Sequence, residues 1–543
     1  MQKWQEFCAK YIEGANISIS DLRKIADEKF SCFGVYPDSI NIKEGSYLFI
    51  ARTGKNKALI VVGKGNLYDR FNGEELTKQC KGTHPEETGK LTDERGTKVC
   101  PLSRENCAII REKFLFTKPV SVLKHDKSIG LGDRLGLASA GHIRLFKKYP
   151  EIKPVLAQQS IRELNLTGRT YEGVLDDASW AVFQEGYTGG FGADGDHLKK
   201  PEEVKMALDC GFTMITLDCS EHIDNTINDL SDEEVNNKYS AIYSPDIMAL
   251  EDRYLGKRFR LNGKGTHPEK TGMSLNYSVE FTAPDLKRII LIYGKAINFA
   301  IQIFRTFIKN YEREVDFEVS IDETLTPTSP QAHFFVASEL ISQDVKVATL
   351  APRFCGEFQK GIDYIGIIDR FEEEFKIHAA IAEHLGYKIS VHSGSDKFSI
   401  FSIAGKETKG KYHVKTAGTN WLEAVRVIAE KTPAVYRQIH TFALSALDEA
   451  KKYYHIGADT GKIPDIKGLS DSELPQLMNK PDSRQVLHIT YGLILQAKNP
   501  DGSYRFRDLI YDILNEYEQD YYNALYKHIN RHLTDLGGCI GNH

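Results

Sequence analysis

No CxxC pair occurs among the nine cysteines of this chain, at positions 8, 32, 80, 100, 107, 210, 219, 355 and 539. An odd, scattered set of this kind argues against a zinc ribbon and fits a reduced, cytoplasmic compartment. Basic residues never cluster among aromatics, and the formal net charge is −5 with a pI near 6.4. A nucleic-acid surface needs the opposite, so the expected partner is a small molecule or another protein. The opening, MQKWQEFCAKYIEG, lacks the apolar h-region of a signal peptide. A clean membrane span is missing too. The most apolar run, residues 289–308, is interrupted by Lys295, Asn298, Gln302 and Arg305 at helical spacing, which describes a buried or amphipathic helix. What remains is ordinary globular composition, 41% hydrophobic and 27% charged over 543 residues, enough for a large core with two or three further modules.

Residues 1–125 read as an N-terminal α+β extension. Two strands, 48–50 and 58–62, are joined by the ARTGKNK turn and followed by a loop-rich stretch holding Cys80, Cys100 and Cys107. The segment KGTHPEETG at 81–89 returns as KGTHPEKTG at 264–272, a repeat with no physical reading that decides its role. From about 126 to 430 short apolar runs alternate with helical patterns, the signature of βα units. Eight candidate strands end in polar tips. Residues 128–132 lead to Asp133 and Arg134, 154–157 to Gln158, Gln159 and Ser160, and 190–193 to Asp194, Asp196 and His197. Residues 213–217 lead to Asp218, 317–321 to Asp322 and Glu323, and 345–350 to Arg353. The last two are 389–391, leading to His392, and 412–414, leading to Lys415 and Thr416. Eight such units predict an α/β fold, a TIM (β/α)8 barrel, whose C-terminal strand ends gather the active site. An insertion at about 220–283 is long enough for a lid or an interface arm, and residues 431–543 turn helical. Both are expected to serve packing and homo-oligomer contact.

The strand tips carry the chemistry. His197, Glu323 and His392 can be read as a site for a divalent metal, Zn²⁺, Mn²⁺, Co²⁺ or Ni²⁺, with Asp218 a further candidate ligand. Asp196, beside His197, is placed to take a proton from a hydroxyl of the bound substrate, and Glu323 and Asp218 are the other carboxylates available for catalysis. Arg134, Arg353, Lys397 and Lys415 bring positive charge to the rim. The turns at Ser393, Gly394 and Ser395 and at Thr416 can hold a carboxylate or phosphate, and Gln158, Gln159 and Asp322 suit hydroxyls. Glycines 190, 192 and 195 spell G-x-G-x-x-G, but Asp194 and Asp196 would face a pyrophosphate, so no nucleotide cofactor is expected. A polyhydroxylated anion is the substrate this mixture fits.

GLGDRLGLASAGHIR at 130–144, PVLAQQSIREL at 154–164, DDASWAVFQEGY through DGDHLK at 176–199, SIDETLTPTSP at 320–330, LAPRFCGEF at 350–358, VHSGSDKFSI at 391–400 and HVKTAGTNWLEA at 413–424 together resemble the tagaturonate epimerase family. The resemblance implies a metal-dependent enzyme of hexuronate catabolism that interconverts D-tagaturonate and D-fructuronate. GDH, VHSGS and KTAGT also look like strand ends of class II aldolases, which implies Asp196 as base and His197 and His392 as ligands. A third aldolase histidine has no match, and Glu323 is the candidate in its place. In a ketouronate counted from the hydroxymethyl end, the C4 hydrogen is β to the C2 ketone, so its simple removal gives no stabilised carbanion. With no nicotinamide site in the sequence, cleavage and re-formation of the C3–C4 bond is the expected route. A metal-dependent aldolase or sugar isomerase, and a non-catalytic sugar-acid sensor, are the alternatives, and a neutral ketose such as fructose is the alternative substrate.

Overall fold

Eight parallel strands close into a barrel in sequence order: Lys127–Leu131, Ile152–Ser160, Gly192–Leu198, Met214–Asp218, Asp316–Ile321, Thr349–Pro352, Lys388–Val391 and Tyr412–Thr416. This computed structural model describes residues 3–12, 17–76, 95–261 and 277–539; Cys80 and the repeated segments at 81–89 and 264–272 lie outside them. Alternation along each strand divides the residues into two sets. Outward-facing Ile129, Ile215, Leu217, Phe317, Val319, Ile389 and Val414 join the main hydrophobic core under the surrounding helices. The inward set is unusual for a barrel, whose interior is ordinarily filled by branched apolar residues. Only the floor is apolar, with Val122, Leu123, Val155 and Met214 packed together. Above it stand Asp194, Thr216, Glu318, Thr349, His413 and Lys415, all buried.

Three strand assignments differ from the sequence expectation by three residues or more at one end. The third strand runs on through Asp194, Asp196 and His197 to Leu198, so these residues belong to the barrel wall. Its polar inward positions mask its period in the sequence. Residues 345–348 precede the sixth strand, because the Val345 N–H donates to the Leu340 carbonyl and closes the preceding helix. The second strand starts earlier, at Ile152, and a register shift between Val155 and Ala157 resets which side chains point inward.

The N-terminal sheet is antiparallel and five-stranded, ordered Asn41–Lys43, Ser46–Thr53, Asn56–Gly63, Gly96–Pro101, Glu74–Glu75. Its hairpin turn is shorter than the expected ARTGKNK: Thr53 pairs with Asn56, leaving Gly54 and Lys55, with Gly54 at φ +70 as a tight reversal requires. The stretch expected to be loop-rich holds Cys100 on a strand and Cys107 on the helix Arg104–Lys113. In the insertion, helices Asp232–Ala241 and Pro245–Tyr254 and the hairpin Arg258–Leu261/Tyr277–Glu280 dock sideways. Tyr254, Phe259 and Phe281 pack on Phe334 and Phe335 of the helix Pro330–Ser342. These elements lie on the flank of the barrel, while Asn225 of the same insertion reaches the depression beside Glu323 and His392. The C-terminal helix Glu518–Asp535 buries Tyr521, Leu525, Ile529 and Leu533 against the helices Ser139–Phe146 and Thr419–Lys431.

Candidate active site at the strand ends

The third strand breaks regularity just where it reaches the rim. Its register against the fourth shifts between Gly195 and Leu198, and His197 takes a left-handed φ of +52, a costly conformation for a residue with a Cβ. The consequence is that Asp196 and His197, adjacent in sequence, both line one pocket, with Gln158, Asp322, Glu323, His392, Ser393 and Lys415. The seventh strand does the same at its end, with Ser393 at φ +50 after His392.

Within this pocket the His197 and His392 rings meet edge to face, centroids 5.0 Å apart. His197 Nδ1 lies 3.5 Å from Asp218 and its Nε2 3.9 Å from Asp196. One donor atom each from His197, Asp218 and Glu323 fall within 4.8 Å of one another, a grouping able to hold a cation. His392 stands beside that set, its Nε2 2.8 Å from Glu318 and its Nδ1 3.2 Å from Asp322 without hydrogen-bond alignment.

Lys415 ties the wall together. It lies inside the barrel, where its ammonium is 2.8 Å from Asp194, from Asp196 and from Glu318, and it also donates to Thr216. Burial raises the cost of every charge here, and the outcome depends on partners. Asp196 is buried, yet Lys415 and His197 hold it down at about 2. For Asp194 burial wins and pushes it up to about 7. Burial also opposes the charge on His392, but Asp322 and Glu318 prevail and push it up to about 10.

Not every residue expected at the site faces the pocket. Gln159 is fully buried behind the wall with its amide unpartnered. The Thr416 hydroxyl donates to the Gly130 carbonyl, and the Gly394 N–H donates to the Lys415 carbonyl, so the 393–395 turn is not an open cradle of three N–H groups. Arg353 opens onto a neighbouring depression that shares Glu323, His392 and Ser393. Arg134 does line the pocket, but it gives two of its nitrogens to Glu163 and stacks 3.7 Å over the Tyr491 ring, leaving Nη1 buried and unpartnered. Lys397 is not on the rim at all: its ammonium donates to the carbonyls of Gln359, Ile362 and Ser395.

Sequence reasoning missed Glu318, Arg162, Lys360, Tyr454 and His488. For Glu318 a signal existed, since Asp316, Glu318, Ser320 and Asp322 fall at period two in a strand. Tyr454 and His488 come from the C-terminal region, which the strand pattern does not reach.

The chain is similar throughout to proteins of one kind. The model of the tagaturonate epimerase (UxaE) family matches residues 36–536. The tagaturonate/fructuronate epimerase of Thermotoga maritima is 38% identical over 511 residues, 93% of this chain and 97% of that one. A crystal structure of the fructuronate-tagaturonate epimerase of Cohnella laeviribosi, with one glycerol, superposes with a TM-score of 0.85 at 48% identity, covering 95% of this chain and 99% of that one. A second, with two glycerols, has the same TM-score and identity and covers 96% and 100%.

Proposed function

This chain belongs to the tagaturonate epimerase family, and from that premise we propose that it interconverts D-tagaturonate and D-fructuronate by opening and re-forming the C3–C4 bond of the ketouronate. It is an isomerase of the epimerase class. The observation that carries the reading is the placement of an ionised carboxylate, Asp196, in one pocket with a cation-holding group of side chains.

The residues present fit a divalent metal. His197, Asp218 and Glu323 offer one imidazole nitrogen and two carboxylate oxygens, His392 lies alongside, and Nδ1 of each histidine is buried without a hydrogen-bond partner. When bound there, such an ion supplies Lewis-acid stabilisation of negative charge and acidifies the hydroxyls next to it. Asp196, a weak base because Lys415 and His197 favour its charge, accepts the C4 hydroxyl proton. As C4 becomes an aldehyde, the C3–C4 bonding pair moves toward the C2 carbonyl and leaves a three-carbon enediolate. The aldehyde fragment turns its other face to C3, the pair returns, and Asp196 gives the proton back to the C4 oxygen. Nothing is gained or lost overall. Gln158, with an unpartnered buried Oε1, and Ser393 are placed for the sugar hydroxyls.

We place the enzyme in the cytoplasm. Cys32, Cys100, Cys107, Cys210, Cys219, Cys355 and Cys539 carry free thiols, and the one described helix long and apolar enough to cross a membrane, Ala283–Ile308, has 56% of its most apolar window buried. The test is incubation with D-fructuronate, with D-fructose in parallel, with chelator and after restoring Zn²⁺, Mn²⁺, Co²⁺ or Ni²⁺, followed by chromatography. D-tagaturonate should appear, vanish with chelator and return with one of the four ions; its absence under every condition would sink the function. In deuterated water the product should carry no deuterium at C4, because the C4–H bond never breaks. Label at C4 would overturn the bond-cleavage route.

A further inference from the structure

We infer that Lys360 is the residue that selects a carboxylate-bearing sugar over a neutral one, an inference that rests on the ketouronate reading of this pocket. Of the cations expected from the sequence to hold an anion, three are engaged and the fourth, Arg353, opens onto the neighbouring depression. Lys415 serves three carboxylates, Lys397 serves three carbonyls, and Arg134, on the same pocket wall, serves Glu163 with two of its three nitrogens. Arg162, exposed, lies over the Tyr454 ring at 4.9 Å. Lys360 differs from all of these. It is half-buried in the pocket wall, and among the described residues no carboxylate lies within ion-pair distance of it; its ammonium donates only to the Ser393 hydroxyl, at 2.8 Å. Burial disfavours its charge, the guanidinium of Arg162 adds to that, and the more distant carboxylates of Glu323 and Glu163 offset it only in part. A cation held in such surroundings gains most when a ligand brings the missing anion.

The backbone around Lys360 is built to aim it. The Lys397 ammonium clamps the carbonyls on either side, those of Gln359 at 2.9 Å and Ile362 at 2.6 Å. Arg484 donates to the Gly361 carbonyl at 2.8 Å, and the Gln359 side-chain oxygen accepts from Gly457 N–H and from Gln485. Gly361 itself has φ +74 and lies against His488, where a side chain would be strained and crowded. A loop fixed at this many points loses little entropy when a ligand binds. The C4–C6 fragment freed by bond cleavage carries the carboxylate, so the ammonium that selects the substrate also keeps that fragment in place while its aldehyde turns.

Lys360→Gln, which keeps a donor toward Ser393, and Lys360→Met test this. In metal-loaded protein the ratio of kcat/KM for D-fructuronate to that for D-fructose should fall about 10- to 100-fold, mainly through KM, the size of a charge-assisted hydrogen bond. A second measurement needs no turnover: calorimetric affinities for D-gluconate and D-glucitol. Wild type should prefer the anion, Lys360→Met should lose the preference, and Lys360→Arg should restore most of it. Equal preference in wild type and Lys360→Met overturns the inference, as does a wild type that binds the two alike. If fructuronate is not turned over but the gluconate preference depends on Lys360, the epimerase reading fails and the assignment of Lys360 stands. If turnover is normal and the variant keeps the wild-type preference, the epimerase reading stands and the assignment of Lys360 fails.

Discussion

Asp196 owes its charge to its neighbours, and that makes its replacement informative. Its carboxylate sits 2.8 Å from the Lys415 ammonium inside a buried network. Asp196→Asn keeps the shape and removes the carboxylate proposed to accept the proton, so turnover of D-fructuronate should fall by about 10²- to 10⁴-fold, the usual worth of a positioned base. Metal content, measured on the same sample, should stay near that of wild type; full activity in the metal-loaded variant would show that Asp196 is not the base. Lys415→Met is a different kind of change. It strips the shared cation from Asp194, Asp196 and Glu318, and buried charges left without a partner cost about 3–5 kcal/mol. Denaturant unfolding should show that loss. Single residues are legible from the sequence where a strand delivers them: His197, His392 and Asp196 are expected at the rim and stand there. Lys360 is not, because nothing in a loop sequence says which way its side chain points; Lys397, equally basic, turns to backbone carbonyls instead.

Among the elements, strands read well when both faces are apolar and poorly when the inner face is polar, as in the third strand, where Asp194, inside the wall, looks like a tip. The join between the N-terminal sheet and the C-terminal helix is not readable at all, since it depends on side chains more than 450 positions apart. There Glu518 contacts Arg52 at 2.9 Å, the ammonium of Lys57 and the Tyr36 hydroxyl at 2.7 Å. Burial opposes the charge of Glu518, but Lys57 and Arg52 hold it down at about 2. Burial presses Lys57 the other way, toward its neutral form, so the benefit of the pair shows on the carboxylate. A carboxylate with a depressed pKa contributes stability above its ordinary pKa of about 4.5 and loses it as the pH falls toward 2. Wild type should therefore lose about 2–3 kcal/mol across that window from this group. Glu518→Gln should be less stable at neutral pH and show a flatter acid limb; parallel pH profiles for the two proteins would show that Glu518 plays no part in the acid transition.

For the whole molecule, the metal reading makes folding and ligand binding one equilibrium. His197, Asp218, Glu323 and His392 come from four different strand ends, and only the closed barrel brings them together. An ion that binds this folded arrangement and not the open chain stabilises it by about 2.7 kcal/mol at a hundredfold excess over Kd. The melting temperature of chelator-treated protein should therefore rise on adding Zn²⁺, Mn²⁺, Co²⁺ or Ni²⁺, with one ion bound per chain. His197→Ala should lose most of that rise. The second cluster of suitable residues, Asp396, His528 and His532, serves as the control. His532 is saturated, its Nδ1 donating to the His528 carbonyl and its Nε2 accepting from the Asp396 N–H. His528 lies between Asp396 at 2.6 Å and Glu423 at 3.4 Å, and Arg484 takes the other oxygen of Asp396. That cluster fastens the C-terminal helix to the turn after the seventh strand; Asp396 Oδ1 and His528 Nε2 make no aligned hydrogen bond, but both ring nitrogens of His532 are taken, so His528→Ala should lower stability while leaving the metal count at one. A metal-induced shift that survives His197→Ala but disappears in His528→Ala would move the ion to the C-terminal helix and leave the barrel mouth without one.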